Sequence, residues 1–248
     1  MSAIEVRNVS LAYDSHDSKI VALKNINMRI ESGEFVCLVG PSGCGKSTTL
    51  NVVAGFLRPN QGQVLVDGHV VHGHGMDRGI VFQEYALFPW RTAIQNVEFG
   101  LEMKKIPPAE RRETAMRYLT MVKLDRFANT YPHHLSGGMK QRVAIARALA
   151  YDPKVLLLDE PFGALDALTR EELQTLVVEL WQQTQKTILY VTHNLSEAVY
   201  LSDRTIVLTS QPGTVKADVR IDLRRPRDAL TVEFIDYQRR LTDLIVQN

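Results

Sequence analysis

Phe35–Leu50 reads FVCLVGPSGCGKSTTL, and the reading of this stretch decides the fold. Its first part, FVCLVG, is continuously apolar, the pattern of a short strand buried on both faces of a parallel sheet. Its last part runs on into NVVAGF with the character of a helix. Between them GPSGCGKS, Gly40–Ser47, satisfies G-x-x-x-x-G-K-[ST] at every fixed position. Glycines let the backbone close around phosphate oxygens. Successive N–H groups form an anion nest, and the start of the helix adds partial positive charge. Gly40, Pro41, Ser42, Gly43, Cys44 and Gly45 are therefore read as a phosphate cradle. Lys46 reaches the terminal phosphates, Ser47 ligates Mg2+, and Thr48 lies beside it. The fixed residues alone arise by chance in roughly one chain in a hundred of this length. The strand before them and the helix after them set the match apart from an incidental glycine turn. Cys44 is read as a backbone donor. A helix start can lower a thiol's pKa, which leaves a redox role open.

Outward from this loop the chain alternates strands and helices. Ile4–Tyr13 and Val21–Ile30 read as strands around a polar loop, Asp14 to Lys19. The segment RPNQGQVLVDGHVV reads as turn and strand. From about Tyr85 to Gly137 the character becomes mostly helical. In Pro107–Leu124, prolines open a stretch with Ala115, Tyr118, Leu119 and Val122 at helical spacing. Next come a helix at Gly138–Ala150, a strand at Lys154–Leu158 and a helix at Arg170–Gln183. A strand at Thr187–Val191, a short helix at Leu195–Tyr200 and a strand at Arg204–Leu208 complete the series. Alternation of this kind predicts an α/β fold with a mostly parallel sheet. The expected organisation is one domain over 1–248: a core of 1–84 and 138–210, a helical insert of 85–137, and a C-terminal strand and helix in 211–248. Phe234, Tyr237, Leu241, Leu244 and Ile245 share one face of that last helix, which is expected to pack inward.

A second apolar strand, VLLLDE, ends in two acids, Asp159 and Glu160. Ligands bind at the carboxyl edge of open α/β sheets, so these side chains are delivered there. Asp159 is placed to hold Mg2+, and Glu160, one residue on, to orient and polarise an attacking water. Gln83, at the end of the strand-like GIVFQ, offers an amide oxygen to metal or water. His193, in YVTHN at the end of another strand, can donate a hydrogen bond to a γ-phosphate. A lone glutamine or histidine at a strand end is usually structural, and these two gain weight only from the rest.

Composition narrows the role. With 29 basic and 28 acidic residues the net charge is +1, without the basic excess of most nucleic-acid binders. Two cysteines, Cys37 and Cys44, flank a glycine-rich turn and suggest no disulfide framework. The first residues lack a signal pattern, and no apolar run approaches the ~18 residues of a membrane span. Service to a membrane would then run through another chain, from the cytosolic side. His69, His72 and His74 lie in a turn without supporting cysteine or acid spacing and are read as exposed, and His133 and His134 as structural.

LSGGMKQR, Leu135–Arg142, is a second anion-holding pattern in a chain that already has one. Together with GPSGCGKS, Gln83, LLLDE, the ALD of Ala164–Asp166 and His193, in that order, it resembles the ATPase subunits of ABC transporters over nearly the whole chain. The resemblance implies a P-loop core with an N-terminal antiparallel β subdomain and a helical insert. It also implies ATP and Mg2+ as ligands and a head-to-tail dimer. In that dimer Ser136, Gly137 and Gly138 close over the nucleotide on the other copy, and Asp166 lies at the interface. Tyr13 would stack on adenine, the alternative being an ordinary half-buried tyrosine. ATP would close the dimer and hydrolysis would release it. Two permease subunits would dock near EYALFPWRTAIQNV, where Phe88, Pro89 and Trp90 are either partner contacts or simple packing. The run ALFPWRTAIQNVEFGLE and its flanks resemble the nitrate/sulfonate/taurine import group, which works with an extracytoplasmic binding protein. The expected place is the cytoplasmic face of the inner membrane, peripherally bound. Only 38 residues follow Ser210, below the ~50 of a separate regulatory domain. Two alternatives remain: a soluble ABC ATPase acting on nucleic acid or ribosomes, opposed by the single cassette and balanced charge, and a P-loop kinase, which has no use for LSGG.

Overall fold

The computed structural model describes residues 2–15 and 18–246. Its elements, in chain order, begin with β1 (Ser2–Ser15), β2 (Ser18–Glu31), β3 (Phe35–Val39), α1 (Lys46–Ala54), β4 (Gln61–Val66), β5 (His69–Val70) and β6 (Arg78–Val81). There follow α2 (Ala93–Met103), α3 (Pro108–Met121), α4 (Gly137–Ala150), β7 (Val155–Asp159) and α5 (Ala167–Thr184). The chain ends with β8 (Thr187–Val191), α6 (Leu195–Leu201), β9 (Arg204–Leu208), β10 (Val215–Arg220) and α7 (Val232–Val246). Two compact units result: one runs up to Gly75 and resumes at Gln185, the other is Met76–Thr184. Among the described residues no helix is long and apolar enough to cross a membrane.

In the first unit β2, β1, β4 and β5 form an antiparallel sheet in that order. The β1–β2 pairing continues to Ser15↔Ser18, so the strands run further into the expected polar loop than their apolar alternation suggests. The second set of strands is ordered β10-β9-β3-β8. There β3 is parallel to both β8 and β9, and β10 is antiparallel to β9. All five residues of β3 are fully buried, as a strand flanked and covered on both faces must be. On α7, Phe234 and Leu241 are fully buried while Tyr237, Leu244 and Ile245 are half-buried.

In the second unit β6 and β7 pair in parallel, from Arg78↔Val155 to Val81↔Leu158. Thr92 and Gln95 form a reciprocal capping box at the start of α2. Ala115, Tyr118, Leu119 and Val122 are all buried, as their spacing predicts. Two helices start earlier than expected. Ser136 caps α4, so Gly137 is already helical, and Asp166 accepts from Thr169 N–H at the start of α5. Both are N-cap residue types whose side chains satisfy otherwise orphaned amide groups.

Candidate active site

The phosphate loop joins β3 to α1 in the first unit. Gly45 caps α1 with φ 94°, and a Cβ there would lie 2.5 Å from Leu23 Cδ2. The position therefore tolerates only glycine, on conformation and on space. Thr49 closes the first turn, its N–H and hydroxyl both donating to Gly45 O, at 2.8 and 2.9 Å. Lys46 is buried, and its ammonium donates to Gly40 O at 2.9 Å and Pro41 O at 3.0 Å. A positive charge is thus held inside a ring of loop backbone, while Ser42, Gly43 and Ser47 are exposed. Tyr13 does not end its strand but is paired with Ile20 inside β1; it is 41% exposed, and its hydroxyl lies 3.2 Å from Thr48 Oγ1. Its ring is displayed beside the loop.

Cys44 does not bear out a redox role. Its side chain is fully buried, and burial pushes the thiol up against the opposing influence of Lys46. A thiol so placed is protonated and shielded. The loop has braces that motif reading missed. Gln211 Nε2 donates to Gly43 O at 3.2 Å, and Gly213 N–H donates to Ala22 O at 3.0 Å. A Cβ on Gly213 would sit 2.1 Å from Cys44 O, so the segment after β9 lies directly against the cradle.

His193 belongs to the same unit but does not end a strand. Pairing of β8 with β3 stops at Leu38↔Val191, because β3 itself gives way to the phosphate loop after Val39. His193 sits two residues beyond, exposed, in the turn before α6.

In the second unit Asp159 is the last residue of β7, and Glu160 follows with φ 43°. A positive φ at a glutamate costs ~1–3 kcal/mol and persists only where surroundings impose it. Gln83 also lies past its strand, since β6 stops at Val81 where its partner β7 approaches its end. A Cβ on Gly163 would lie 3.4 Å from Gln83 Nε2 and 3.9 Å from Glu160 Oε2. The amide and the carboxylate thus converge on one point. Arg147 of α4 steadies the segment after Gln83, its guanidinium donating to Ala86 O and, at 3.2 Å, to Tyr85 O.

Ser136 and Gly137 begin α4 with Ser136 exposed and Gly137 half-exposed. Gly138 is buried, and a Cβ on it would meet Thr169 Cγ2 at 2.5 Å. Packing against α5 within the chain is therefore a reason for this glycine that the sequence reading did not include. Asp166 is exposed, and its carboxyl is held below the usual range chiefly by the Thr169 N–H. Further along, Asn96 accepts from Phe88 N–H at 2.8 Å and donates to the carbonyls of Phe88, Arg91 and Thr92. Phe88 packs on Phe99 with ring centroids 4.6 Å apart, while Trp90 is 71% exposed.

The residues fit a Mg2+ nucleotide. Within the first unit the cradle is closed by glycines and holds a lysine ammonium, and the exposed Ser47 hydroxyl is the hard oxygen type of ligand that Mg2+ prefers. Comparison with known proteins supports a nucleotide as the ligand. The family model described as ABC transporter matches residues 23–163. A nitrate import ATP-binding protein of Synechocystis, NrtD, is 52% identical over 89% of this chain and 83% of its own length. A taurine import ATP-binding protein of Pelagibacter ubique, TauB, is 45% identical over 89% of this chain and 84% of its own. Among solved structures, a dimeric ATP-binding cassette, MJ0796, bound to ADP and Pi superposes with a TM-score of 0.79. It is 38% identical and covers 89% of this chain and 100% of its own.

Proposed function

The chain belongs to the ABC transporter ATP-binding family and is an ATPase coupled to transport, and from that premise we propose that it powers an importer for a small anion or organosulfonate. The observation that carries the substrate class is the likeness to nitrate and taurine import subunits over nine-tenths of the chain. In this reading the amide groups of Gly40–Ser47 and the Lys46 ammonium bind the phosphates of ATP, with Tyr13 against the base. Ser47, Gln83 and Asp159 would hold Mg2+, which neutralises phosphate charge during transfer. Glu160 orients the attacking water and accepts its proton. His193 donates a hydrogen bond to the γ-phosphate.

Two copies would sandwich ATP, each presenting Ser136, Gly137, Gly138 and Asp166 to the nucleotide of the other. The positive end of α4 then faces that phosphate. ATP favours the closed pair through its differential affinity, and hydrolysis removes the bridge. Transport follows if closure reaches two permease subunits on the cytoplasmic face of the membrane, with an extracytoplasmic protein delivering the solute. Trp90 supports the docking role. The loop that carries it is pinned by Asn96 and Phe88, yet the indole itself is exposed. A rigid, exposed aromatic is a typical interface anchor.

The test is Glu160→Gln. Phosphate release should fall at least 100-fold while ATP still binds and drives dimer formation, read by light scattering. A Glu160→Gln protein with wild-type hydrolysis would remove Glu160 as the base. For the transport role, the chain purified from detergent-solubilised membranes should bring a multi-span permease with it. Recovery with ribosomes or nucleic acid, and no permease, would replace the importer with the soluble alternative.

A further inference from the structure

Glu197 is a buried carboxylate, 5% exposed, that none of these roles uses. It lies on α6, one turn past His193. Its Oε2 accepts from Thr192 Oγ1 at 2.7 Å and from Tyr190 OH at 3.1 Å, and both donors are buried. Burying a carboxylate is costly unless hydrogen bonds compensate, and bonds to the ionised form are the strong ones. The same Thr192 oxygen accepts the N–H of Asn194 at 2.9 Å. Asn194 in turn caps α6, its Oδ1 accepting from Ser196 N–H at 2.9 Å and Glu197 N–H at 3.3 Å. Both chain neighbours of His193 are therefore tied to one buried acid, while His193 itself is exposed between them. The far end of α6 is also held. Arg227 donates to Val199 O, to Ser202 O at 2.6 Å and to Ile221 O at 3.1 Å, binding the helix terminus to the C-terminal segment.

We propose that Glu197, acting through Thr192, is a positioning residue that fixes the direction of His193 during ATP hydrolysis. The direction in which a histidine leaves a turn is set by the backbone on either side of it, and here Thr192 and Asn194 supply that backbone. A hydrogen bond to a phosphate is useful only within a few tenths of an ångström and a narrow angle. The inference rests on the proposed role of His193, and the test separates the two.

Four proteins are compared in single-turnover hydrolysis with enzyme in excess: Thr192→Val, Glu197→Gln, His193→Ala and the Thr192→Val/His193→Ala pair. Thermal unfolding checks that each is folded. Thr192→Val keeps the branched shape and loses the hydroxyl, so the rate should fall about tenfold, one hydrogen bond's worth, with ATP affinity unchanged. Glu197→Gln retains an acceptor oxygen for Thr192 and should stay within about twofold of wild type. In the His193→Ala background Thr192→Val should cost nothing more, because the group it positions is gone. A Thr192→Val protein with a wild-type rate overturns the proposal, as does an equal further loss in the His193→Ala background. If His193→Ala itself hydrolyses ATP at the wild-type rate, the role of His193 falls first, and the positioning proposal with it.

Discussion

Replacing Gly138 by alanine should destabilise the chain, and a second substitution should undo the damage. The new methyl would lie 2.5 Å from Thr169 Cγ2 and 3.9 Å from Thr169 Cβ, and apart from its chain neighbours and its own helix backbone it would meet no other atom within 4 Å. One methyl group is thus the whole obstacle. Thr169 cannot simply rotate it away. Its hydroxyl, as well as its N–H, bonds Asp166, and β-branched side chains are stiff at χ1. Overpacking of this kind costs ~1–3 kcal/mol. Alanine recovers at most ~0.5–1 kcal/mol of helix propensity, less in a first turn. The net loss is about 1–2 kcal/mol, or roughly 2–8 °C in Tm for a chain of this size. Thr169→Ser removes Cγ2 and keeps the hydroxyl for Asp166. Alone it should cost up to ~0.8 kcal/mol for the lost methyl. In the pair, the alanine methyl fills the space the threonine methyl leaves, and stability should return to within ~0.5 kcal/mol of wild type.

The assay is thermal or urea unfolding of the four proteins by circular dichroism. Additive effects, with Gly138→Ala/Thr169→Ser no better than the sum of its parts, would refute the steric argument. ATPase activity of the rescued pair then separates two demands on this glycine. Restored stability with lost activity means that Gly138 also serves close approach to a nucleotide on another copy. Restored activity means that packing on α5 is its whole requirement.

Tyr13→Ala should raise the KM for ATP roughly 5–10-fold, and Tyr13→Phe should leave it near wild type, since stacking needs the ring and not the Thr48 contact. Equal ATP affinity in Tyr13→Ala would make this an ordinary half-buried tyrosine. The Asp166 carboxyl is held below its ordinary range by the Thr169 N–H, so its folded pKa lies under the unfolded one. It therefore stabilises above about pH 4 and loses that contribution as pH falls through the lower folded value. The stability difference between wild type and Asp166→Asn, which keeps a capping oxygen, should shrink in that window. A difference constant from pH 7 to pH 2 would contradict the assignment.

The architecture was legible wherever periodicity or continuous apolarity extended over several residues. The fully buried β3, the helical face of Ala115, Tyr118, Leu119 and Val122, and the alternation through β9 all answer to that rule. The site was legible where residue type alone carries chemistry, as in the glycines and lysine of the cradle. It was not legible where geometry depends on a distant partner. Gln83 and His193 were expected at strand ends and lie in turns, because a strand stops where its neighbour stops pairing, and that length is written elsewhere in the chain. The positive φ of Glu160 has no signature in a glutamate. The braces were equally silent: Gln211 and Gly213 on the cradle, Arg147 behind Gln83, and Thr192 with Glu197 around His193 are single residues with no period. Most of the proposed reacting groups stand exposed or half-exposed, whereas Thr192 and Glu197 beside His193 are buried and Arg147 behind Gln83 is half-buried. Exposed groups can be exchanged with little cost to stability but not to chemistry. For the buried ones the two costs are joined, and only paired substitutions such as Thr192→Val with His193→Ala can separate them.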